Sequence, residues 1–156
     1  MQTGPSNYKA NGWPKQSSHT ISYKHPAQTQ QSQGRFDNDR GYVCTLSALI
    51  LKQQQAHVFH VGDSRLYHWR AGVLSQLSVD HTTTLSGQRQ FLARALGMDA
   101  KIELQTGSVK IEAGDRFLLC SDGISDFIRP DTLKAVVTKS SDLAATAQQL
   151  KTQALA

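Results

Sequence analysis

Apolar and polar positions in the middle of the chain alternate with a period of two, which predicts β-strands. Residues 42–51, YVCTLSALIL, are apolar at both alternating sets of positions, as expected of a strand covered on both faces. Three more strand-like runs follow at short spacing, AHVFHVG, RLYHWR and VLSQLS, separated by polar or glycine-containing turns. Four successive strands with tight connections predict an antiparallel meander.

A helix is predicted after the fourth strand, in VDHTTTLSGQRQFLARALG. Leu92, Ala95 and Leu96 share one helical face, Phe91 lies nearby, and Gly97 suits the C-terminal cap. KIELQTGSVKI then predicts one or two strands, and RFLLCSDG predicts a strand that ends on Ser-Asp-Gly.

The last third of the chain predicts helices. ISDFI suits a short helix, and Pro130 suits the first position of a longer one. A final helix follows Ser141, and its apolar stripe is formed by Leu143, Ala147, Leu150 and Ala154. Several antiparallel strands with peripheral helices indicate an α+β fold.

Residues 1–40 differ from the rest of the chain. Three prolines interrupt them, and AQTQQSQG is rich in glutamine and nearly free of apolar residues. Neither a helical nor a strand period is visible there. We therefore expect an irregular or poorly ordered segment over residues 1–40 and a folded domain over residues 41–156.

Composition excludes several classes of protein. The 156 residues carry a formal charge of +5, but the basic residues are scattered, which argues against a nucleic-acid partner. No apolar run approaches the ~20 residues that span a bilayer, and the N-terminus lacks the apolar core of a secretory signal. We expect a soluble, cytoplasmic protein without membrane contact, in which Cys44 and Cys120 are reduced, buried thiols.

Two aspartates are candidates for chemistry because each meets a glycine at the end of an apolar strand. Asp63 lies in HVGDSR and Asp122 in LLCSDG. Carboxylates brought together at the rim of a sheet repel each other unless a proton or cation lies between them. Hard cations such as Mg²⁺ and Mn²⁺ accept one or two carboxylates and keep several waters. An aspartate beside glycine is also common in ordinary turns, so the spacing alone leaves both interpretations open.

Other polar residues near these turns have two interpretations each. Asp80 and His81 support a site or merely begin a loop. Asp126 follows Asp122 by four residues, so a helix would place both carboxylates on one face; Ser121 or Asp122 would otherwise act as a helix N-cap.

The order of four motifs resembles a known family. CTLSALIL, AHVFHVGDSRLYHWRAGVLSQLSVDHT, FLARALG and AGDRFLLCSDGISDFI occur in the sequence typical of the metal-dependent PP2C-type (PPM) serine/threonine phosphatases, in particular the bacterial ones. The resemblance runs from about Val43 to Ala156. It implies a sandwich of two antiparallel sheets flanked by helices, in which metal-activated water hydrolyses phosphoserine or phosphothreonine without a covalent intermediate.

The resemblance also implies roles for residues. Asp122 matches an aspartate that binds metal in the family, and Asp63 matches one that can hold a further, weaker ion with it; the ions are Mn²⁺ or Mg²⁺. Ser121 and Gly123 complete the Asp122 turn, and Arg65 is expected to support the Asp63 turn rather than bind substrate. The implied partner is a phosphorylated protein, with a kinase as a further candidate partner.

The sequence departs from the family at both ends. The R-x-x-N-E-D element and the D-G-x-G-G loop, whose aspartate bridges the two main metals, do not occur; RFDNDRG is not a match. Another metal-binding aspartate follows the last helix in the family, whereas this chain ends at Ala156. We therefore expect a partial PP2C domain that lacks early and last strands and has little or no activity alone. The alternative is a catalytically dead domain that acts as a regulatory or interaction module.

Overall fold

A computed structural model describes residues 17–22, 43–85, 89–99, 101–139 and 141–156. These residues contain the strands β1 (Ser17–Ser22), β2 (Leu46–Lys52), β3 (Gln55–Val61), β4 (Arg65–Arg70), β5 (Val73–Gln76), β6 (Thr82–Leu85), β7 (Arg89–Leu92), β8 (Lys101–Lys110) and β9 (Arg116–Cys120). Their helices are α1 (Asp122–Ser125), α2 (Pro130–Lys139) and α3 (Leu143–Ala154). None of these helices is long and apolar enough to cross a membrane.

The strands form two main antiparallel sheets and a ribbon. The first sheet has the order β1-β8-β3-β2 and the second the order β5-β4-β9, while β6 and β7 pair with each other. Together with the three helices, this arrangement confirms the predicted α+β sandwich.

Two tight hairpins follow from local turn chemistry. Gln53 and Gln54 connect β2 to β3 with φ values of 49° and 60°, and Ala71 and Gly72 connect β4 to β5 with φ values of 47° and 80°. Two consecutive residues with positive φ match the twist of the flanking strands, so such two-residue loops favour hairpins.

The predicted continuous meander is wrong, because β3 and β4 belong to different sheets. The chain leaves the first sheet at Val61, passes through Gly62, Asp63 and Ser64, and enters the second sheet at Arg65. Gly62 has a φ of +113°, which L-residues rarely adopt. The stretch GDSR is therefore a corner between two sheets and not a hairpin turn.

Two apolar clusters hold the sandwich and the helices together. Between the sheets, Val58 of the first sheet packs with Leu66 and Phe117 of the second. On the opposite face of the second sheet, Tyr67 packs with residues from all three helices, including Leu133 and Leu150. The second sheet is thus covered on both faces, by the first sheet on one and by the helices on the other.

The helix predicted over Phe91–Leu96 is wrong. Residues Arg89–Leu92 form β7, and Leu96 forms an isolated bridge to Cys44, with N···O distances of 3.0 and 2.9 Å. A short apolar run fits a helix or a strand equally well by periodicity, and pairing with β6 decides for the strand. Gly97 has a positive φ of 92° but follows no helix.

The last long strand and the last two helices agree with the sequence in position but not in every detail. KIELQTGSVK forms one strand, and α2 begins at Pro130 as predicted. The last helix is capped by Asp142, whose Oδ1 accepts hydrogen bonds from the N–H groups of Ala144 and Ala145. Leu143, at the start of its predicted apolar stripe, is 67% exposed, whereas Leu150 is buried.

The two cysteines are free thiols, but they are not both buried. Cys44 is exposed because it lies before β2, outside the sandwich; Cys120 is half-buried, and burial raises its pKa to about 11.

The irregular segment expected over residues 1–40 lies mostly outside the described residues. Its described part, Ser17–Ser22, is not irregular: it forms β1, which pairs with β8.

Candidate functional site

The two candidate aspartates leave the second sheet at the same end. Arg65, the first residue of β4, is paired with Cys120, the last residue of β9, in an antiparallel ladder. Asp63 lies two residues before Arg65, and Asp122 lies two residues after Cys120. The pairing of β4 with β9 therefore brings the two carboxylate-bearing turns to one rim.

The Asp63 turn is held by buried contacts with neighbouring segments. A Cβ atom on Gly62 would lie 2.4 Å from Cγ2 and 3.1 Å from Cα of Thr45, so both the side chain and the backbone of Thr45 pack directly against the turn. The hydroxyls of Thr45 and Ser64 lie 2.9 Å apart. Asp63 itself is half-buried and, among the described residues, has no cationic side chain at ion-pair distance. The turn is thus fixed while its carboxylate is left available.

His81 fixes the same turn through both backbone and side chain. The His81 N–H donates to the carbonyl oxygen of Gly62 at 2.8 Å, and the Gly62 N–H donates to Nδ1 of His81 at 3.2 Å. Burial is the main cause that lowers the pKa of His81 to about 4, with the nearby Arg94 adding to it. The neutral ring keeps Nδ1 free as an acceptor, so its charge state and its hydrogen bond agree.

His60 is a supporting residue that was not predicted from the sequence. It is fully buried, its Nε2 donates to the Gly62 carbonyl oxygen at 3.1 Å, and its Nδ1 lies 2.8 Å from Oγ of Ser47. Its ring lies 5.1 Å from that of His81, and burial lowers its pKa as well. The available sequence signal was a polar residue at an inward position of a buried strand.

The Asp122 turn is more exposed. Asp122 is the first residue of α1, and its Oδ1 accepts a hydrogen bond from the Gly123 N–H at 2.8 Å. Ser121 occupies the N-cap position, but its side chain makes no capping hydrogen bond. Asp126 is the C-cap of this one-turn helix: its N–H donates to the carbonyl oxygen of Asp122 at 2.9 Å, as in the predicted helical turn, and its side chain lies 3.9 Å from that of Arg65.

Asp80 has both of its carboxylate oxygens engaged. Oδ2 accepts from Nε and Nη2 of Arg65 at 2.8 and 2.6 Å, and Oδ1 accepts from Nε2 of Gln76 at 2.9 Å. Gln76, which was not predicted from the sequence, also donates to the Ser78 carbonyl oxygen at 3.0 Å. Asp80 therefore acts on the site through Arg65 and is not positioned as a free ligand.

The donor set at this rim fits one hydrated hard cation. Carboxylate oxygens are the ligands that Mg²⁺ and Mn²⁺ prefer, and one or two suffice when the ion keeps its waters. Asp63 and Asp122 supply two such groups. Within the described ranges, no three His, Cys, Asp or Glu side chains come together as a metal-binding group. Asp63 and Asp122 are thus donors of the kind that a single hydrated ion accepts.

Comparisons with known proteins agree on one family. The family model described as "Protein phosphatase 2C" matches residues 6–156, so the match begins well before Val43. The serine/threonine phosphatase stp of Listeria monocytogenes is 36% identical over 115 residues, covering 64% of this chain and 45% of that protein. The chain spans about half the length of the curated relatives it matches.

Solved structures give the same result. PppA, described as a key regulatory component of the type VI secretion system in Pseudomonas aeruginosa, superposes with a TM-score of 0.67 and 35% identity, covering 71% of this chain and 50% of that one. The catalytic domain of PstP, a serine/threonine phosphatase solved in complex with two manganese ions, gives a TM-score of 0.69 and 28% identity, covering 83% and 58%.

Proposed function

Because this chain belongs to the protein phosphatase 2C family, we propose that it forms the part of a metal-dependent serine/threonine phosphatase domain that contains Asp63 and Asp122. The substrate class is a phosphorylated protein. The observation that carries the proposal is the pairing of Arg65 with Cys120, which brings the two aspartate-bearing turns to one end of the sheet.

The residues of this chain contribute binding and orientation. Asp63 and Asp122 would hold one Mn²⁺ or Mg²⁺ ion through their carboxylate oxygens. Such an ion activates water and neutralises charge on a phosphoryl group when it is bound. His81 and His60 fix the backbone of Gly62, the residue directly before Asp63.

Metal binding tests this proposal directly. We expect the purified chain to bind Mn²⁺, measured as the loss of the free-ion signal in electron paramagnetic resonance, and Asp122→Asn to weaken binding at least about tenfold. The matched control is Glu112→Gln, which removes an exposed carboxylate beside Arg70, at the opposite end of β4. Equal binding by wild type and Asp122→Asn would refute the proposal.

Activity separates the enzyme from the non-catalytic alternative. The sequence lacks the D-G-x-G-G loop whose aspartate bridges two metals in the family, so we expect little turnover of p-nitrophenyl phosphate or of a phosphothreonine peptide with Mn²⁺. Turnover comparable to that of a complete family domain would contradict this expectation. Absence of both turnover and Mn²⁺ binding would favour the regulatory or interaction module. The kinase partner and the cytoplasmic location stay predictions.

A further inference from the structure

Arg65 connects the two carboxylate-bearing turns. It is the first residue of β4 and lies two residues after Asp63, and its ladder partner Cys120 lies two residues before Asp122. Arg65 stands at the junction of both turns, and its guanidinium group makes polar contacts beyond the ladder. The contacts of its guanidinium group therefore bear on the relative position of the two turns.

One side of the guanidinium is anchored to Asp80. Nε and Nη2 donate to the same oxygen of Asp80, at 2.8 and 2.6 Å, and Gln76 holds the other oxygen. The Arg65 and Asp80 side chains are each 25% exposed, so solvent screens this pair only in part. The guanidinium plane is thus fixed with respect to the segment that follows β5.

The other side of the guanidinium reaches α1, the one-turn helix that begins at Asp122. Nη1 donates to the carbonyl oxygen of Ser125 at 3.4 Å, and Nη2 lies 3.9 Å from Oδ1 of Asp126. The last carbonyls of a helix lack intrahelical partners, and a cation there is favourable. Because α1 has only four residues and no side-chain N-cap bond, the contacts of Arg65 add to the backbone hydrogen bonds and the packing of Ile124 that hold it.

We propose that Arg65 is a positioning residue that sets the separation of the Asp63 and Asp122 carboxylates by joining β4, Asp80 and the end of α1. It contacts neither metal nor substrate. This inference rests on the proposed function, because the separation matters only if the two carboxylates share an ion.

Substitution of Arg65 tests the inference, because electrostatics and positioning predict opposite signs. Arg65→Gln removes a positive charge that repels a cation near the site, so electrostatics alone predicts tighter binding of Mn²⁺. Loss of positioning predicts weaker binding, by about 10-fold or more, as is typical for residues that orient metal ligands. The quantity measured is the Mn²⁺ dissociation constant. The unfolding temperature of each variant is first determined by circular dichroism, and Mn²⁺ binding is then measured well below it.

Arg70→Gln is the matched control. Arg70 lies at the other end of β4 and donates through Nε and Nη2 to Asp115 at 2.7 and 2.6 Å, and its side chain is 33% exposed. A merely structural role predicts that both variants lose stability and that neither changes Mn²⁺ affinity specifically. Unchanged or tighter Mn²⁺ binding by Arg65→Gln, or equal weakening in both variants, would overturn the inference.

Amide hydrogen exchange provides a readout that needs no metal. The N–H groups of Asp126 and Ile128 donate to the carbonyl oxygens of Asp122 and Ile124, both at 2.9 Å, and report on α1 and the turn after it. We expect their exchange, followed by nuclear magnetic resonance, to accelerate about tenfold in Arg65→Gln and not in Arg70→Gln. A wild-type chain that binds no Mn²⁺ would refute the proposed function alone; unchanged exchange in Arg65→Gln would refute the role of Arg65.

Discussion

Gly62 offers a sharp test of the corner that carries Asp63, because its substitution by alanine combines two separable penalties. Its φ of +113° is unfavourable for any residue with a Cβ atom. A Cβ atom there would also lie 2.4 Å from Cγ2 and 2.6 Å from Cβ of Thr45, far closer than van der Waals contact allows. Gly62→Ala therefore introduces both backbone strain and overpacking.

The structure provides controls that isolate the packing term. Gly72 and Gly114 have φ values of +80° and +91°, and a Cβ atom on either would meet nothing within 4 Å. Gly72→Ala and Gly114→Ala are expected to lower the free energy of unfolding by about 1–3 kcal/mol from strain alone. Overpacking adds about 1–3 kcal/mol at Gly62, so Gly62→Ala should cost that much more than either control.

Urea-induced unfolding, followed by circular dichroism, measures the three losses of stability. Thr45→Gly removes both clashing side-chain atoms, so a double-mutant cycle with Gly62→Ala should show a favourable coupling of about 1–3 kcal/mol. If Gly62→Ala fails to fold, rescue by Thr45→Gly becomes the readout. Equal stability losses at Gly62, Gly72 and Gly114, together with zero coupling, would show that Thr45 does not pack against the corner as described.

Three further predictions concern the rest of the domain. His81 has a pKa lowered from 6.5 to about 4, so the unfolded chain binds more protons than the folded one in this range, and stability should fall as the pH drops from 6.5 toward 4. Urea midpoints should show this slope, and His81→Gln should reduce it, leaving the part that the buried His60 contributes. An equal slope in His81→Gln would contradict the buried neutral ring. Asp115, whose side chain is 2% exposed, accepts two hydrogen bonds from the guanidinium of Arg70, and these bonds lower its pKa. Asp115→Asn should lower the free energy of unfolding by about 3 kcal/mol, whereas Glu112→Gln, at a side chain 56% exposed, should lower it by less than about 1 kcal/mol. Equal losses in urea unfolding would argue against a buried network. Leu133→Ala should lower the free energy of unfolding by about 2–5 kcal/mol, because Leu133 is 1% exposed in the core. Leu143→Ala, at a leucine that is 67% exposed, should change it by no more than about 0.5 kcal/mol. Thermal unfolding of both variants measures the difference, and similar losses would count against the packing of α2.

Local features of the sequence determined most of the individual elements. The alternation in AHVFHVG and RLYHWR predicted β3 and β4, because a period of two is imposed by the backbone of each strand. Pro130 marked the start of α2 for a similarly local reason, its fixed φ and missing N–H. The positions of Asp63 and Asp122 at strand ends, and the family, were likewise readable from the order of short motifs.

Only the tertiary structure decided which elements meet. The sequence alone could not show that β3 and β4 lie in different sheets, since this depends on the long-range pairing of β3 with β8 and of β4 with β9. It also predicted a helix where β7 pairs with β6, because a short apolar run gains its conformation from its partner.

The same distinction applies to the site. Arg65 reaches Asp80, 15 residues away, and Ser125, 60 residues away. Contacts of this kind are set by the pairing of β4 with β9, a long-range interaction that leaves no periodic signal in the chain. The sequence thus determined which carboxylates stand at strand ends, and the sheet pairing determined that two of them share a rim, because only folding brings distant strand ends together.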